Sequence, residues 1–144
     1  MSANLTPEDV EYLREGYRLF RDHEPAFMDR FAPDATFAYP TTLPAGGIYV
    51  GPWEVLEFTT TVSDSVDDPH PQPEEFIRDG DRLVVLGHFH GRSRATCEQV
   101  AIRFAHVARL TAAEGPLSGQ RYAAFELLVD TAAVVAAING QDAG

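Results

Sequence analysis

His106 is the residue whose surroundings most invite chemistry. Between Cys97 and Leu110, Val100, Ile102, Phe104, Ala108 and Leu110 recur at every second position, and His106 is the polar member of that series. Such alternation predicts a strand with one buried face. An imidazole set in an apolar face needs a hydrogen-bond partner. Neutral imidazole donates one hydrogen bond and accepts another, so His106 suits a general base or an oxyanion donor. A core histidine bonded to a helix residue satisfies the same pattern without chemistry. A second titratable group beside His106 would separate the two readings.

The other candidates are weaker. Tyr39 is a poor base at neutral pH, because a phenol ionises near ~10, but it can donate to a substrate oxygen. Tyr17, on a predicted helix, reads as pocket wall. Asp130 follows an apolar strand and precedes an Ala-rich stretch, where an N-cap is the stronger reading. Glu126 alternates with Phe125 and Leu127 and so faces the opposite side of its strand. His88-x-His90 places two imidazoles on one strand face, but no third ligand has recognisable spacing, so no metal is expected. His23, His70 and Asp22 fall in predicted turns and read as solvated. Cys97 reads as structural. No phosphate-cradling glycine loop or nucleophile elbow is present, and no cofactor is implied.

These residues must be held by a chain of 144 residues, which fits one domain spanning 1–144. A single cysteine excludes an internal disulfide. No run approaches the ~18 apolar residues of a membrane span, and the start lacks signal-peptide character, so a cytoplasmic address is expected. The net charge of −11 disfavours nucleic acid and anionic membranes as partners. All eleven basic residues are arginine, which leaves no Schiff-base lysine.

Thr6 and Pro7 open a predicted helix, with Val10, Leu13, Tyr17 and Phe20 as its buried stripe. Gly16 interrupts its middle and permits close packing there. A short helix follows from Pro25 to Phe31, then a strand from Ala35 to Tyr39. Pro52 opens a further helix carrying Trp53, Leu56 and Val62. Ser63 to Glu75, acidic and with three prolines, is expected to be an exposed connection. Phe76-Ile77 and Arg82–His90 form a predicted hairpin around Gly80. A strand from Tyr122 to Val129 and a capped helix ending near Gly140 complete the chain. Helices followed by hairpin-linked strands predict an α+β fold with a mostly antiparallel sheet.

Five segments then carry a resemblance: FAPDATFAYP at 31–40, GIYVGPWEV at 47–55, FIRDGDRLVVLG at 76–87, FAHVARL at 104–110 and FELLVDTAA at 125–133. Their order and spacing resemble those of SnoaL-like proteins of the nuclear transport factor 2 superfamily, which also holds ketosteroid isomerase and limonene-epoxide hydrolase. The resemblance implies a cystatin-like α+β roll: a strongly curved sheet closed by N-terminal helices into a cone with an internal pocket. It also implies a homodimer. His106 falls where ketosteroid isomerase carries its hydrogen-bond-donating acid. Tyr39 replaces that family's proton-shuttling aspartate, which argues against steroid isomerisation itself. Leu127 stands where the cyclases carry an acid/base aspartate.

The function expected is cofactor-independent acid/base cyclisation or isomerisation of a polyketide-like or other apolar carbonyl substrate. His106 and Tyr39 would do the chemistry, and Tyr17, Phe31, Phe37, Trp53, Ile102 and Phe104 would line the pocket. A non-catalytic small-molecule binding or assembly module is the alternative, and an epoxide hydrolase is a second. One scaffold hosting several chemistries leaves that choice to the site.

Overall fold

The computed structural model describes residues 2–140 apart from 45, 53, 55–58 and 60–62. Thr6 begins helix α1 (Pro7–Arg21) through a capping box: the Asp9 amide donates to its hydroxyl, and the Thr6 amide donates to the Asp9 carboxylate. A 3₁₀ turn over Pro25–Arg30 takes the place of the short second helix expected there. Among the described residues, the strands in chain order are β1 (Ser2–Ala3), β2 (Phe31–Tyr39), β3 (Gly47–Val50), β4 (Val66–Asp79), β5 (Arg82–Ser93), β6 (Gln99–Leu110) and β7 (Tyr122–Val129). Helix α2 (Thr131–Asn139) closes the chain, capped by the Asp130 carboxylate and ended by left-handed Gly140. The helix expected after Pro52 lies outside the described residues.

The strands form one curved sheet in the order β1-β4-β5-β6-β7-β2-β3. It is antiparallel except at the β1–β4 and β2–β7 pairs. The β5–β6 register runs unbroken from Arg82↔Arg109 to Arg92↔Gln99. Cross-strand partners share a face, so Leu83, Val85, Ile102, Phe104, His106 and Ala108 all point inward. Val84, Leu86, Ala105 and Val107 point outward. Leu13 of α1 packs into the inner face with Phe76, Leu83, Val85, Ala108, Leu110 and Leu117. At 1% exposure Leu13 is a full core residue, and its burial stabilises the fold by about 2–3 kcal/mol.

Two expectations change. The acidic stretch from Ser63 to Glu75 is not a loose connection, because from Val66 onward it is strand β4. Pro69, Pro71 and Pro73 are spaced by two, so all three lack an amide on the same edge. That edge faces away from β5, and among the described residues β4 meets β1 on it only at Phe76 and Ile77. Prolines confined to an open edge are compatible with a strand. Cys97, expected to start β6, instead sits exposed before it with φ +60°. No helix among the described residues is long and apolar enough to cross a membrane.

Two polar anchors tie the connection between β6 and β7 to the rest. The Leu117 amide donates to Asp9 Oδ1 at 3.1 Å, so one carboxylate both caps α1 and holds a segment 108 residues away. Buried Arg78 donates from Nε to the Gly80 carbonyl and from Nη1 to the Gly115 carbonyl. Burial alone would raise the Asp9 pKa, but the bonds from Leu117 and Thr6 and the charge of Arg78 outweigh it and hold it low. A lowered folded-state pKa gives stability that is complete above the ordinary value and lost as pH falls through the lowered one. Asp9→Asn should therefore destabilise the protein by about 1–3 kcal/mol at pH 7 in urea unfolding. The deficit should shrink as pH falls below about 4. A deficit constant down to pH 3 would show that the charge does not matter.

Candidate functional site

Strand β6 carries His106 inward because its alternation is strict, and α1 meets it there. Tyr17 lies one turn beyond Leu13 on the same helix face, which brings its hydroxyl 2.7 Å from His106 Nδ1. The two rings stack with centroids 5.8 Å apart and planes 14° apart. Phe104 and Phe125 enclose the imidazole, with centroids at 4.4 and 4.6 Å. Among the described residues no further group hydrogen-bonds the ring, so Nε2 is the nitrogen left to meet a ligand.

Burial in this apolar setting removes the water that would stabilise an imidazolium, and it lowers the His106 pKa to about 3. The same burial, with Tyr122 nearby, raises the Tyr17 phenol well above its ordinary range. Both groups are neutral at physiological pH. Two tautomers fit the 2.7 Å contact. In one, Tyr17 O–H donates to Nδ1 and the ring proton sits on Nε2. In the other, Nδ1–H donates to the phenol oxygen and Nε2 offers a lone pair.

Tyr39 lies on the same inner face, and its ring packs at 6.0 Å from Tyr49. The registers His106↔Leu127 and Ala38↔Glu126 place it in one row with Leu127 and His106, about 10 Å from His106 across β7. Its phenol is also raised, by burial and by Tyr49. Phe31 and Phe37 are buried and form an aromatic cluster with Phe125 and Tyr122. Ile102 and Phe104 are buried on the inner face as expected. Trp53 lies outside the described residues. Glu126 pairs with Val107 on the outer face and is exposed, and Asp130 is a helix cap.

The sequence reading missed Phe125 and Tyr122 as parts of this wall. The alternation of β7 put Phe125 and Leu127 on one face, but only the register with β6 shows that this is the face of His106. Tyr17, read as wall, is the direct partner of the imidazole.

If burial sets the state of the ring, His106 should not titrate between pH 5 and 8. Its imidazole resonances in proton–nitrogen correlation spectra should stay fixed over that range. A midpoint near the ordinary 6.5 would mean that water reaches the ring freely.

The architecture has close counterparts. An NTF2-like protein of unknown function from Burkholderia pseudomallei superposes with a TM-score of 0.77 at 27% identity, over 92% of this chain and 98% of that one. TerC, co-crystallised with polyporic acid, gives 0.75 at 24% identity over 90% and 97%. A protein assigned as a SnoaL-like polyketide cyclase, from Jannaschia, gives 0.70 at 12% identity over 97% of both chains. No curated protein matches this chain. The signature of the SnoaL-like domain matches residues 13–116, from the core leucine of α1 to the connection that follows β6, and the chain belongs to the SnoaL-like domain family.

Proposed function

We propose that the chain is a cofactor-independent enzyme that cyclises or isomerises a polyketide-like or other apolar carbonyl substrate on the inner face of its sheet. The observation that carries this reading is the Tyr17–His106 hydrogen bond, which fixes the imidazole and leaves Nε2 uncommitted among aromatic rings. The ring is neutral in either tautomer, and the one with Nε2–H presents a donor on the side away from Tyr17. That N–H would polarise a substrate carbonyl and hold the enolate oxygen formed when the neighbouring carbon loses a proton to water. A preorganised donor in surroundings of low dielectric is worth far more than in solution. In a cyclisation the enolate carbon then bonds to a second carbonyl carbon, whose π pair moves to oxygen. Tyr39, in the same row, can donate its proton to that oxygen and regain one from water.

The relatives support a small-molecule ligand. TerC was co-crystallised with polyporic acid. A binding module without chemistry is the competing reading, favoured by the neutral state of His106, Tyr17 and Tyr39 together. Turnover separates them. His106→Ala should keep the parent's circular dichroism and lower kcat on a responsive polyketide-like ketone by roughly 10²-fold. Tyr17→Phe should lower it by less, since the ring remains but loses its tether. A parent that binds such ketones without converting any of them would establish the binding module instead.

The same reading includes a homodimer through the outer face. Ile77, Val84, Leu86 and Val107 form an apolar strip there, and Leu128, Ile48 and Val50 are 50%, 76% and 51% exposed. Large contiguous apolar surface of this kind marks an interaction site. Sedimentation equilibrium at tens of micromolar (a range in which weak contacts dissociate) should give a dimer, and Leu86→Asp should give a monomer. A parent that sediments as a monomer would end this part of the proposal.

A further inference from the structure

The outer face of β5 continues past its apolar strip into His88 and His90, and the sheet supplies what their spacing alone lacked. His70 of β4 lies directly opposite His90. The His70 and His90 ring centroids are 5.9 Å apart, and those of His88 and His90 are 6.2 Å apart. Three imidazoles from two strands therefore form one cluster, roughly 13–20 Å along β5 from Val84 and away from His106 on the other side of the sheet.

Two of the three rings have a fixed tautomer that leaves Nε2 as the free donor atom. His70 Nδ1 lies 2.8 Å from the Asp68 carbonyl, which can only accept, so Nδ1 carries the proton and Nε2 the lone pair. His88 Nδ1 lies 3.0 Å from both oxygens of Glu74, which fixes the same tautomer. A ring N–H given to a carboxylate or backbone carbonyl is the usual support of a metal-bound histidine, and it raises the donor strength of the other nitrogen. His90 has no hydrogen bond among the described residues and is free to turn toward its neighbours.

We propose that His70, His88 and His90 bind one divalent transition-metal ion of the zinc, nickel or copper type through their Nε2 atoms, with Glu74 as the positioning residue for His88. The site is not preformed: among the described residues no three such side chains already converge on one point. Three nitrogens at about 2.1 Å from a metal bring ring centroids to about 5 Å, so the 5.9 and 6.2 Å separations to His90 must each close by roughly 1 Å and His70 and His88 must turn toward each other. The ligand type selects the metal, since imidazole suits these ions and a site without a carboxylate ligand disfavours calcium and magnesium. Arg103 pairs opposite His88 and is exposed, so its guanidinium can extend into solvent. The inference does not depend on the activity proposed for His106.

Tag-free full-length protein titrated with zinc by calorimetry should bind one ion per chain. Cobalt substitution should give the intense visible absorption of a tetrahedral centre, with water in the fourth position. His70→Ala and His90→Ala should each weaken zinc by at least roughly tenfold, and Glu74→Gln by about tenfold. Melting curves without metal identify variants that have lost their fold, and His90→Ala, at a partly exposed position, serves if His70→Ala has. Zinc affinity unchanged in a folded His70→Ala would overturn the proposal, because the His88-x-His90 pair alone would then account for binding. Absence of binding by the parent would overturn it equally.

Discussion

Leu13 and Tyr17 are four residues apart on α1, and that single turn of helix joins the core to the candidate site. Leu13 is locked among Phe76, Leu83, Val85 and Ala108, so the helix cannot slide without opening the core. Tyr17 inherits that fixed position and delivers its hydroxyl to His106. The seat is secured from the other end by Asp9, which caps the helix and holds the Leu117 amide. Interiors packed at crystal density transmit displacement rather than absorb it. The geometry of the imidazole is therefore set by hydrophobic packing a turn away as much as by its own hydrogen bond.

Burial acts on the two partners in opposite directions and with one result. It disfavours the cationic imidazole and the anionic phenolate alike, so both stay neutral. A neutral donor makes no demand for a counter-ion in an apolar space, where an unpaired charge would be costly. The arrangement differs in kind from a carboxylate base, and Leu127, an aliphatic residue in the same row, does not supply one.

Alternation made much of this legible in the sequence. The inward set on β6, the hairpin at Gly80, the caps at Thr6 and Asp130 and the strand from Tyr122 all follow from period and end signals. What sequence could not give was register between distant strands. Phe125 joins the wall around His106, and His70 meets His90, only because particular residues of separate strands pair. Tyr17 reads as wall from its place on a helix, whereas its contact with His106 depends on the depth at which α1 docks. The stretch with three prolines reads as a connection because proline breaks most strands, whereas here each missing amide lies on an open edge.

That proline-marked edge has a further meaning. A long strand with a free rim of amides and carbonyls is a template on which another chain can add a strand. Over Pro69, Pro71 and Pro73 the rim of β4 has carbonyls but no amides at the positions facing outward, so an incoming strand finds half of each ladder missing. Asp67, Asp68 and Glu74 add negative charge to the same segment of a chain that is already acidic. The composition that makes this segment look unstructured instead protects this edge of the sheet from pairing with another chain.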